Sequence, residues 1–303
     1  MKVVALAGGT GSAKLVRGLS RLHLDLTVVA NVGDNFWFYG AYVCPDVDVA
    51  TYTLAGISAS QGWGIAGDTF AALGALSRLG GETWFRLGDR DLATCLLRTG
   101  MIEKGSSLTE ATRSIARSLG VRTAVLPVSD DRVETRVTTP AGEMHLQEFW
   151  VRERGRPRVL GVRYDGASRA RPTAAVAEAL SEADRIIVCP ANPVTSIGPM
   201  LAVKGFRSLL SSASARIVAL SPMVGTSPFS GPAAKLLRAT GLRADSSGVA
   251  KLYEDFVDCI MISKEDRRLV KEVEGIGIGC TLADTRMRGA RDEVRLGREL
   301  IRA

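Results

Sequence analysis

Residues 2–18 read KVVALAGGTGSAKLVRG, and this stretch decides the fold class. Its first part, Val3 to Ala7, is a short apolar run typical of a buried strand. A glycine-rich turn follows and leads into a segment with the character of a helix start. Such a turn presents backbone N–H groups to an anion, because glycine allows close approach and a helix N-terminus favours negative charge. The stretch therefore predicts an α/β fold with an anion site where the first strand ends.

Lys14 distinguishes this turn from the two standard phosphate-binding motifs. A Walker A loop would end in Gly-Lys-Ser/Thr, and a dinucleotide fingerprint would have a third small residue where Lys14 stands. We therefore predict a diphosphate or nucleotide site of no standard type. Its candidate contacts are Gly8, Gly9, Thr10, Gly11, Ser12 and Lys14. The alternative is a tight strand-to-helix turn without a ligand.

The composition is that of a globular chain with a positive net charge. Of 303 residues, 46% are hydrophobic and 23% are charged, and the net charge is +7. The arginines are dispersed and aromatic residues make up only 6%, which disfavours a nucleic-acid platform and suits small anionic substrates. The five cysteines form no C-x-x-C pair, no apolar run is long enough to span a bilayer, and no signal peptide pattern precedes the first strand. We therefore expect a cytoplasmic protein without a membrane contact.

Four predicted strand ends are followed by loops rich in Gly, Ser, Thr, Asn or Pro. These loops are residues 8–12, 31–35, 190–199 and 221–232. Because parallel strands end at one sheet edge, the four loops together favour an extended nucleotide or diphosphate site. The candidate contacts in the last two loops are Asn192, Ser196, Ser221 and Gly231.

The order of predicted elements indicates a Rossmann-like three-layer α/β/α core with a mainly parallel sheet. We assign residues 1–60 and 171–303 to this core, and residues 61–170 to a helical and hairpin insertion. Residues 151–163 are strongly basic and are interpreted either as an edge strand or as an anion grip. Aromatic residues alternate with glycines and carboxylates over residues 36–70, which suits either pocket walls or the edge of the core.

Ten short stretches span almost the whole chain in a fixed order. They are GGTG at 8–11, NVGD at 31–34, CPDVD at 44–48, WGI at 63–65, LGDRDLAT at 87–94, PVSDD at 127–131, EFW at 148–150, NPVTSIGP at 192–199, SGPAAK at 230–235 and ADT at 283–285. Together they resemble the 2-phospho-L-lactate transferase family of deazaflavin coenzyme biosynthesis.

This resemblance implies a reaction and its partners. The family transfers a phospholactyl group from lactyl-2-diphospho-5'-guanosine to the ribityl hydroxyl of the deazaflavin FO (7,8-didemethyl-8-hydroxy-5-deazariboflavin). GMP leaves, coenzyme F-420-0 forms, and Mg²⁺ is required. In bacterial relatives the donor carries enolpyruvyl instead of lactyl. The resemblance also implies a homodimer.

The resemblance assigns FO contacts to Asp48 and to Arg86, where many relatives have Lys. Trp63 is a further candidate, as an aromatic face for the planar deazaflavin. Asp34, Asp48 and Asp89 are the candidate catalytic carboxylates, one of which would accept the hydroxyl proton. Asp34 and Asp48 are the candidate Mg²⁺ ligands, since Mg²⁺ prefers oxygen.

Two other functions remain open at this point. Nucleotide-sugar-binding regulators of the same superfamily resemble this chain in GGTG and in the Asn-Pro-x-x-Ser-Ile pattern, and they have no known turnover. A nicotinamide oxidoreductase is disfavoured, because the glycine motif is imperfect and the second strand ends in Ala30-Asn31 without an acidic residue.

Overall fold

The structure, a computed structural model, describes residues 1–229 and 231–303. The described residues form fourteen strands: β1 (Lys2–Ala7), β2 (Asp25–Ala30), β3 (Phe36–Phe38), β4 (Ala41–Val43), β5 (Ala124–Pro127), β6 (Glu134–Thr139), β7 (Gly142–His145), β8 (Gly161–Asp165), β9 (Arg185–Val188), β10 (Arg216–Leu220), β11 (Met223–Val224), β12 (Ser227–Pro228), β13 (Cys259–Ser263) and β14 (Gly279–Ala283).

Twelve α-helices lie in the same described part: α1 (Gly9–Ser20), α2 (Pro45–Leu54), α3 (Ala71–Arg78), α4 (Asp89–Glu103), α5 (Leu108–Ser118), α6 (Ala174–Ser181), α7 (Gly198–Ala202), α8 (Phe206–Ser211), α9 (Ala233–Ala239), α10 (Ser246–Tyr253), α11 (Val270–Gly275) and α12 (Ala290–Arg302). Two π-helical turns, Glu148–Arg152 and Pro193–Ile197, and a 3₁₀ segment, Lys264–Leu269, complete the helical elements.

Seven parallel strands form the main sheet, in the order β14-β13-β10-β9-β1-β2-β5. β1 pairs with β9 on one side and β2 on the other, and Val3 to Ala7 are at most 3% exposed. An internal parallel strand is covered on both faces, so it needs a continuous apolar run rather than alternation. The predicted Rossmann-like α/β fold is confirmed.

The strand order reverses next to β1. From there β2 and β5 lie on one side, and β9, β10, β13 and β14 lie on the other. In open α/β sheets the loops on the two sides of such a switch point diverge and leave a crevice for ligands. The glycine turn after β1 contacts the loop after β9, since a Cβ on Gly11 would lie 2.5 Å from the carbonyl oxygen of Pro190. The fold thus places the glycine turn at the switch point.

The predicted insertion, residues 61–170, does not lie wholly outside the main sheet. Its strand β5 pairs with β2 and forms one edge of that sheet. The predicted hairpin is present as β6 and β7, and β8 joins β6 to complete a small antiparallel sheet. The second hairpin strand ends at His145, and residues 148–152 then form a π-helical turn.

The aromatic residues after β2 divide between core and surface. β3 and β4 form a hairpin whose turn residues, Tyr39 and Gly40, both have positive φ, which suits the twist of a two-residue hairpin. Phe36 and Phe38 pack into a second hydrophobic core, whereas Trp37 is 45% exposed. This part of the aromatic stretch is therefore mainly core, the plainer of the two interpretations.

Helix α4 buries polar side chains and exposes leucines. Cys95, Arg98 and Thr99 are its buried residues, while Leu96 and Leu97 are each 53% exposed. A helix face with this composition is arranged around a polar cluster rather than around a core.

The remaining expectations of the sequence concern cysteines and membranes. All five cysteines are free thiols, and four of them are buried. Within residues 1–229 and 231–303, no helix is both long enough and apolar enough to span a bilayer.

Candidate active site

Asn31 connects the loop after β2 with the loop after β9 and with the start of α2. It follows β2 and is fully buried. Its side-chain NH₂ donates to Asp34 Oδ1 at 3.0 Å, to Asp46 Oδ2 at 2.9 Å and to the Thr195 carbonyl at 3.3 Å. Its Oδ1 accepts from the Gly33 N–H at 2.8 Å. As predicted, the loops after β1, β2 and β9 meet at one edge, and a single amide fixes two carboxylates there.

Asp46 occupies the anion position at the N-terminus of α1. The Gly9 N–H donates to Asp46 Oδ1 at 2.7 Å, and the Gly8 N–H donates to Ser12 Oγ at 3.1 Å. A Cβ on Gly8 would lie 2.6 Å from Cβ of Ser196 and 2.8 Å from Asp46 Oδ2. The space beside Gly8, Gly9 and Asp46 is too small for a water molecule. A diphosphate at this turn would compete with Asp46 for the Gly9 N–H.

The pKa values of Asp34 and Asp46 are raised by their surroundings. Burial raises the pKa of Asp46 to about 6, although the bonds from Asn31 and from Gly9 lower it. Burial raises the pKa of Asp34 well above its ordinary value, and the nearby charge of Asp46 raises it further. Gln147, from the turn after β7, approaches Asp34 Oδ2 at 3.5 Å. Among the described residues, the donors that bind this carboxylate pair are all neutral.

Asp48 belongs to a second cluster, between α2 and α4. Its carboxylate pairs with Arg98, which is 1% exposed and which also donates to the Tyr42 carbonyl at 3.1 Å. Burial raises the pKa of Asp48, and the charge of Arg98 opposes that rise. The carboxylates of Asp48 and Asp91 and the thiol of Cys95 lie within 4.8 Å of one another. Burial raises the pKa of the Cys95 thiol well above its ordinary value, so this sulphur is protonated near neutral pH.

Asp91 connects the second cluster with an open cavity. Tyr52 donates its hydroxyl to Asp91 Oδ1 at 2.8 Å. Burial, together with the charge of Asp48, raises the pKa of Asp91 to about 7. The cavity has a volume of about 310 Å³. Its lining residues are Gln61, Trp63, Gly64, Ile65, Asp68, Phe70, Arg86, Gly88 and Asp91.

The cavity brings together two of the three predicted FO contacts. Trp63 is 58% exposed, and the guanidinium of Arg86 lies 4.6 Å from the centre of the Phe70 ring. This stacking holds the Arg86 cation over an aromatic wall. Asp48 is not part of the lining, because its pairing with Arg98 places it behind Asp91.

Other predicted site residues have contacts within the protein. Asp89 accepts from the N–H groups of Ala71 and Ala72 at 2.9 and 3.0 Å, and it thereby caps α3. A hydrogen bond from Thr69, followed by these two backbone bonds, lowers the pKa of Asp89. The Lys14 ammonium lies 3.4 Å from the Met287 carbonyl oxygen.

The predicted contacts after β9 and β10 differ in their partners and in their exposure. Asn192 Oδ1 accepts from the N–H groups of Val194 and Thr195, and it caps the π-helical turn. Ser221 is fully buried and lies 2.8 Å from the hydroxyl of Ser246. Gly231 is exposed, with φ +70°. Ser230, from the SGPAAK stretch, lies outside the described residues.

Sequence reasoning missed Asp46, Asp91 and Arg98 as site residues. Both Asp-x-Asp pairs stand at helix starts, where residues two apart point to different sides. Asp46 therefore meets Gly9 while Asp48 meets Arg98, and Asp89 caps α3 while Asp91 meets Tyr52. One signal was available, because Asp91, Cys95 and Arg98 are spaced i, i+4 and i+7 and so share one face of α4.

Comparison with known proteins decides the family. Residues 3–285 match the family model described as 2-phospho-L-lactate transferase CofD. The chain belongs to this family. It is 42% identical to the 2-phospho-L-lactate transferase of Methanopyrus kandleri over 305 residues, which cover 100% of this chain and 97% of that protein. Membership predicted from ten short stretches is thus confirmed, and the chain is an enzyme of the 2-phospho-L-lactate transferase type.

Two further comparisons add to this family assignment. The chain is 42% identical over 290 residues to the phosphoenolpyruvate transferase of Kitasatospora aureofaciens, covering 92% of this chain and 90% of that protein. It also resembles the crystal structure of a UPF0052 family protein from Bacillus halodurans, with a TM-score of 0.67, 17% identity, and coverage of 99% and 98% of the two chains. At 17% identity this likeness supports the fold alone.

Proposed function

We propose that this chain transfers a phospholactyl or enolpyruvyl-phosphate group from the corresponding diphosphoguanosine donor to FO. The terminal ribityl hydroxyl oxygen forms a bond to the phosphorus that carries the three-carbon acid. The bond from that phosphorus to the bridging oxygen breaks, and GMP leaves with this oxygen. The hydroxyl proton passes to a base, and a phosphodiester results. Phosphoryl transfer of this kind depends mainly on alignment and on charge neutralisation.

The observation that carries the proposal is the position of the cavity. An aromatic wall formed by Trp63 and Phe70, with Arg86 stacked on it, suits a planar tricyclic ring. A volume of about 310 Å³ is at the lower end of the usual range for ligand sites. The cavity is bounded by Asp91, beside the buried carboxylate of Asp48. A ring bound at the wall would thus direct its side chain towards carboxylates.

The identity of the acid group stays open between two donors. The 2-phospho-L-lactate transferase and the phosphoenolpyruvate transferase named above are both 42% identical to this chain. Overall similarity therefore favours neither lactyl nor enolpyruvyl. For the guanosine end we propose the loops after β9 and β10, because β9 adjoins the switch point beside the glycine turn.

Mg²⁺ is part of the proposal, and the donor atoms of the site fit it. Asp34 and Asp46 offer buried carboxylate oxygens held together by Asn31, and no cation of the protein pairs with either in the described residues. The sequence predicted Asp34 with Asp48, but Asp48 is already neutralised by Arg98. We therefore propose Asp34 and Asp46 as the ligands. Bound there, Mg²⁺ would neutralise charge on the donor's diphosphate.

The proposal is tested by titrating the purified protein with FO, followed by FO fluorescence, with and without GDP and Mg²⁺. We expect saturable binding that weakens roughly tenfold in Trp63→Ala and in Arg86→Ala. Trp63→Ala removes aromatic surface that the ring would stack on, and Arg86→Ala removes the cation beside it. Leu79→Ala, at an exposed position outside the cavity lining, is the control.

Absence of FO binding in every condition, together with binding of a UDP-sugar, would reverse the proposal in favour of the nucleotide-sugar regulator. The homodimer and the cytoplasmic location stay predictions from the sequence.

A further inference from the structure

Asp91 has one carboxylate oxygen bound and one available. Oδ1 accepts from the Tyr52 hydroxyl at 2.8 Å, and the backbone N–H of Asp91 donates to Asp68 Oδ2 at 3.1 Å. Oδ2 has no hydrogen-bond partner in the part of the chain that the structure describes. A Cβ on Gly64, which also lines the cavity, would lie 4.0 Å from this oxygen. The cavity therefore contains a fixed acceptor atom that no protein donor uses.

The surrounding charges determine which ligand atoms fit this acceptor. Arg98 pairs with Asp48 and not with Asp91, so this buried cation does not neutralise both carboxylates. Asp68 adds a second carboxylate to the lining, paired with Arg90 at 3.6 Å, and Arg86 adds a cation at the aromatic wall. A phosphate placed beside Oδ2 would meet the Asp91 carboxylate, which has no partner cation among the described residues, so it is disfavoured at this end of the cavity. A neutral hydroxyl can donate to Oδ2 without that penalty.

The two ends of the cavity thus differ in chemistry. Trp63 and Phe70 offer aromatic surface, and Asp91 offers a hydrogen-bond acceptor held in place by Tyr52. A ligand with a planar ring and a chain of hydroxyls is complementary to both ends at once. A nucleoside diphosphate would place its negative charge next to carboxylates.

We propose that Asp91 Oδ2 accepts a hydrogen bond from a hydroxyl of the acceptor's ribityl chain, and that Tyr52 is its positioning residue. This inference rests on the proposed function, since it takes FO as the acceptor. It makes Asp91 the residue that recognises the polyol, distinct from the aromatic wall that holds the ring. Arg98 does not contact the ligand in this arrangement; it holds Asp48 in an ion pair beside Asp91.

The test separates the chain of the ligand from its ring. Wild type and Asp91→Asn are titrated with FO and with a deazaflavin of the same ring that carries a methyl group instead of the ribityl chain. Asn retains an oxygen for Tyr52 but removes the carboxylate. At pH 8, where Asp91 is mainly ionised, we expect FO binding to weaken roughly tenfold to a hundredfold, as for a lost hydrogen bond to a charged group. Binding of the methyl analogue should change by less than about twofold.

Two further variants refine the test. Tyr52→Phe removes the hydroxyl that orients Asp91, and it should weaken FO binding by less than Asp91→Asn does, again without changing the analogue's affinity. Glu103→Gln makes the same chemical change at an exposed position at the other end of α4, and it should bind both ligands as wild type does. Thermal unfolding of each variant confirms that it is folded.

The possible outcomes are distinct. If wild type binds FO but Asp91→Asn binds it equally well, or loses FO and the analogue in parallel, the inference is wrong while the proposed function stands. If wild type binds neither ligand, the proposed function fails and the inference fails with it. Selective loss of FO in Asp91→Asn supports both.

Discussion

At the scale of single residues, the most unusual feature is a fully buried arginine. Arg98 is 1% exposed, and its bonds go to Asp48, to the Tyr42 carbonyl and to the Cys95 sulphur. Its Nε has no partner among the described residues. A buried ion pair is costly to desolvate, so its presence beside a cavity fits a role in the site better than a role in stability.

Replacing Arg98 alone should destabilise the protein severely. Arg98→Met leaves the Asp48 charge buried without a partner, and we expect a loss of roughly 3–5 kcal/mol in the free energy of unfolding. The double variant Asp48→Asn/Arg98→Met removes both charges and should recover most of that loss. Urea unfolding at pH 7 measures both, with Arg113→Met on the exposed side of α5 as the control. A double variant less stable than the single one would contradict this account.

At the scale of elements, the close approach of α1 to the loop after β9 depends on glycine. Gly8 and Gly11 stand where a side chain would collide with Ser196 and with the Pro190 carbonyl, respectively. These contacts bring the start of α1 against the switch point, and they explain the glycines independently of any phosphate. The glycine turn is therefore required for packing, independently of any ligand.

Two helical glycines should respond to alanine in opposite ways. Gly11→Ala places Cβ 2.5 Å from the Pro190 carbonyl oxygen, and it should cost roughly 1–3 kcal/mol of unfolding free energy. Gly100→Ala in α4 meets nothing within 4 Å and should stabilise the helix by up to about 1 kcal/mol. Equal effects in urea unfolding, in either direction, would rule out the steric explanation.

At the scale of the whole molecule, the carboxylates at the sheet edge and behind the cavity make the fold sensitive to pH. The pKa values of Asp34 and Asp48 are raised, that of Asp46 is about 6, and that of Asp91 is about 7, in each case mainly because of burial. The unfolded chain releases these protons near 3.8, the ordinary value. Between these limits the folded protein binds more protons than the unfolded one, so stability falls as pH rises.

The pH dependence of stability should therefore be flatter in a variant that lacks one of these groups. We expect the unfolding free energy of wild type, measured without Mg²⁺, to decrease from pH 5 to pH 8. Asp91→Asn should lose less over the same range and should be more stable than wild type at pH 8, because it has no charge to bury there. Glu103→Gln should follow wild type. An Asp91→Asn curve parallel to that of wild type would show that Asp91 titrates normally.

Within the candidate site, the sequence identified neighbourhoods better than individual atoms. The NVGD, CPDVD and LGDRD stretches all contribute to it, but the sequence favoured Asp48 and Asp89. In the structure, Asp46 meets the glycine turn and Asp91 lines the cavity. Two carboxylates two residues apart on a helix point to different sides, and only the packing partners reveal which side faces the site.

By itself the sequence determined the α/β class, the central strand, the glycine turn and the family, because apolar periodicity, turn residues and short motifs are local properties. Tertiary structure alone decided the strand order, the switch point beside β1, and the membership of β5 in the main sheet, since these depend on which distant strands pair. It also decided that Arg98, seven residues after Asp91, lies against Asp48. Burial and the charges of distant neighbours, and not local sequence, set the pKa values of the site.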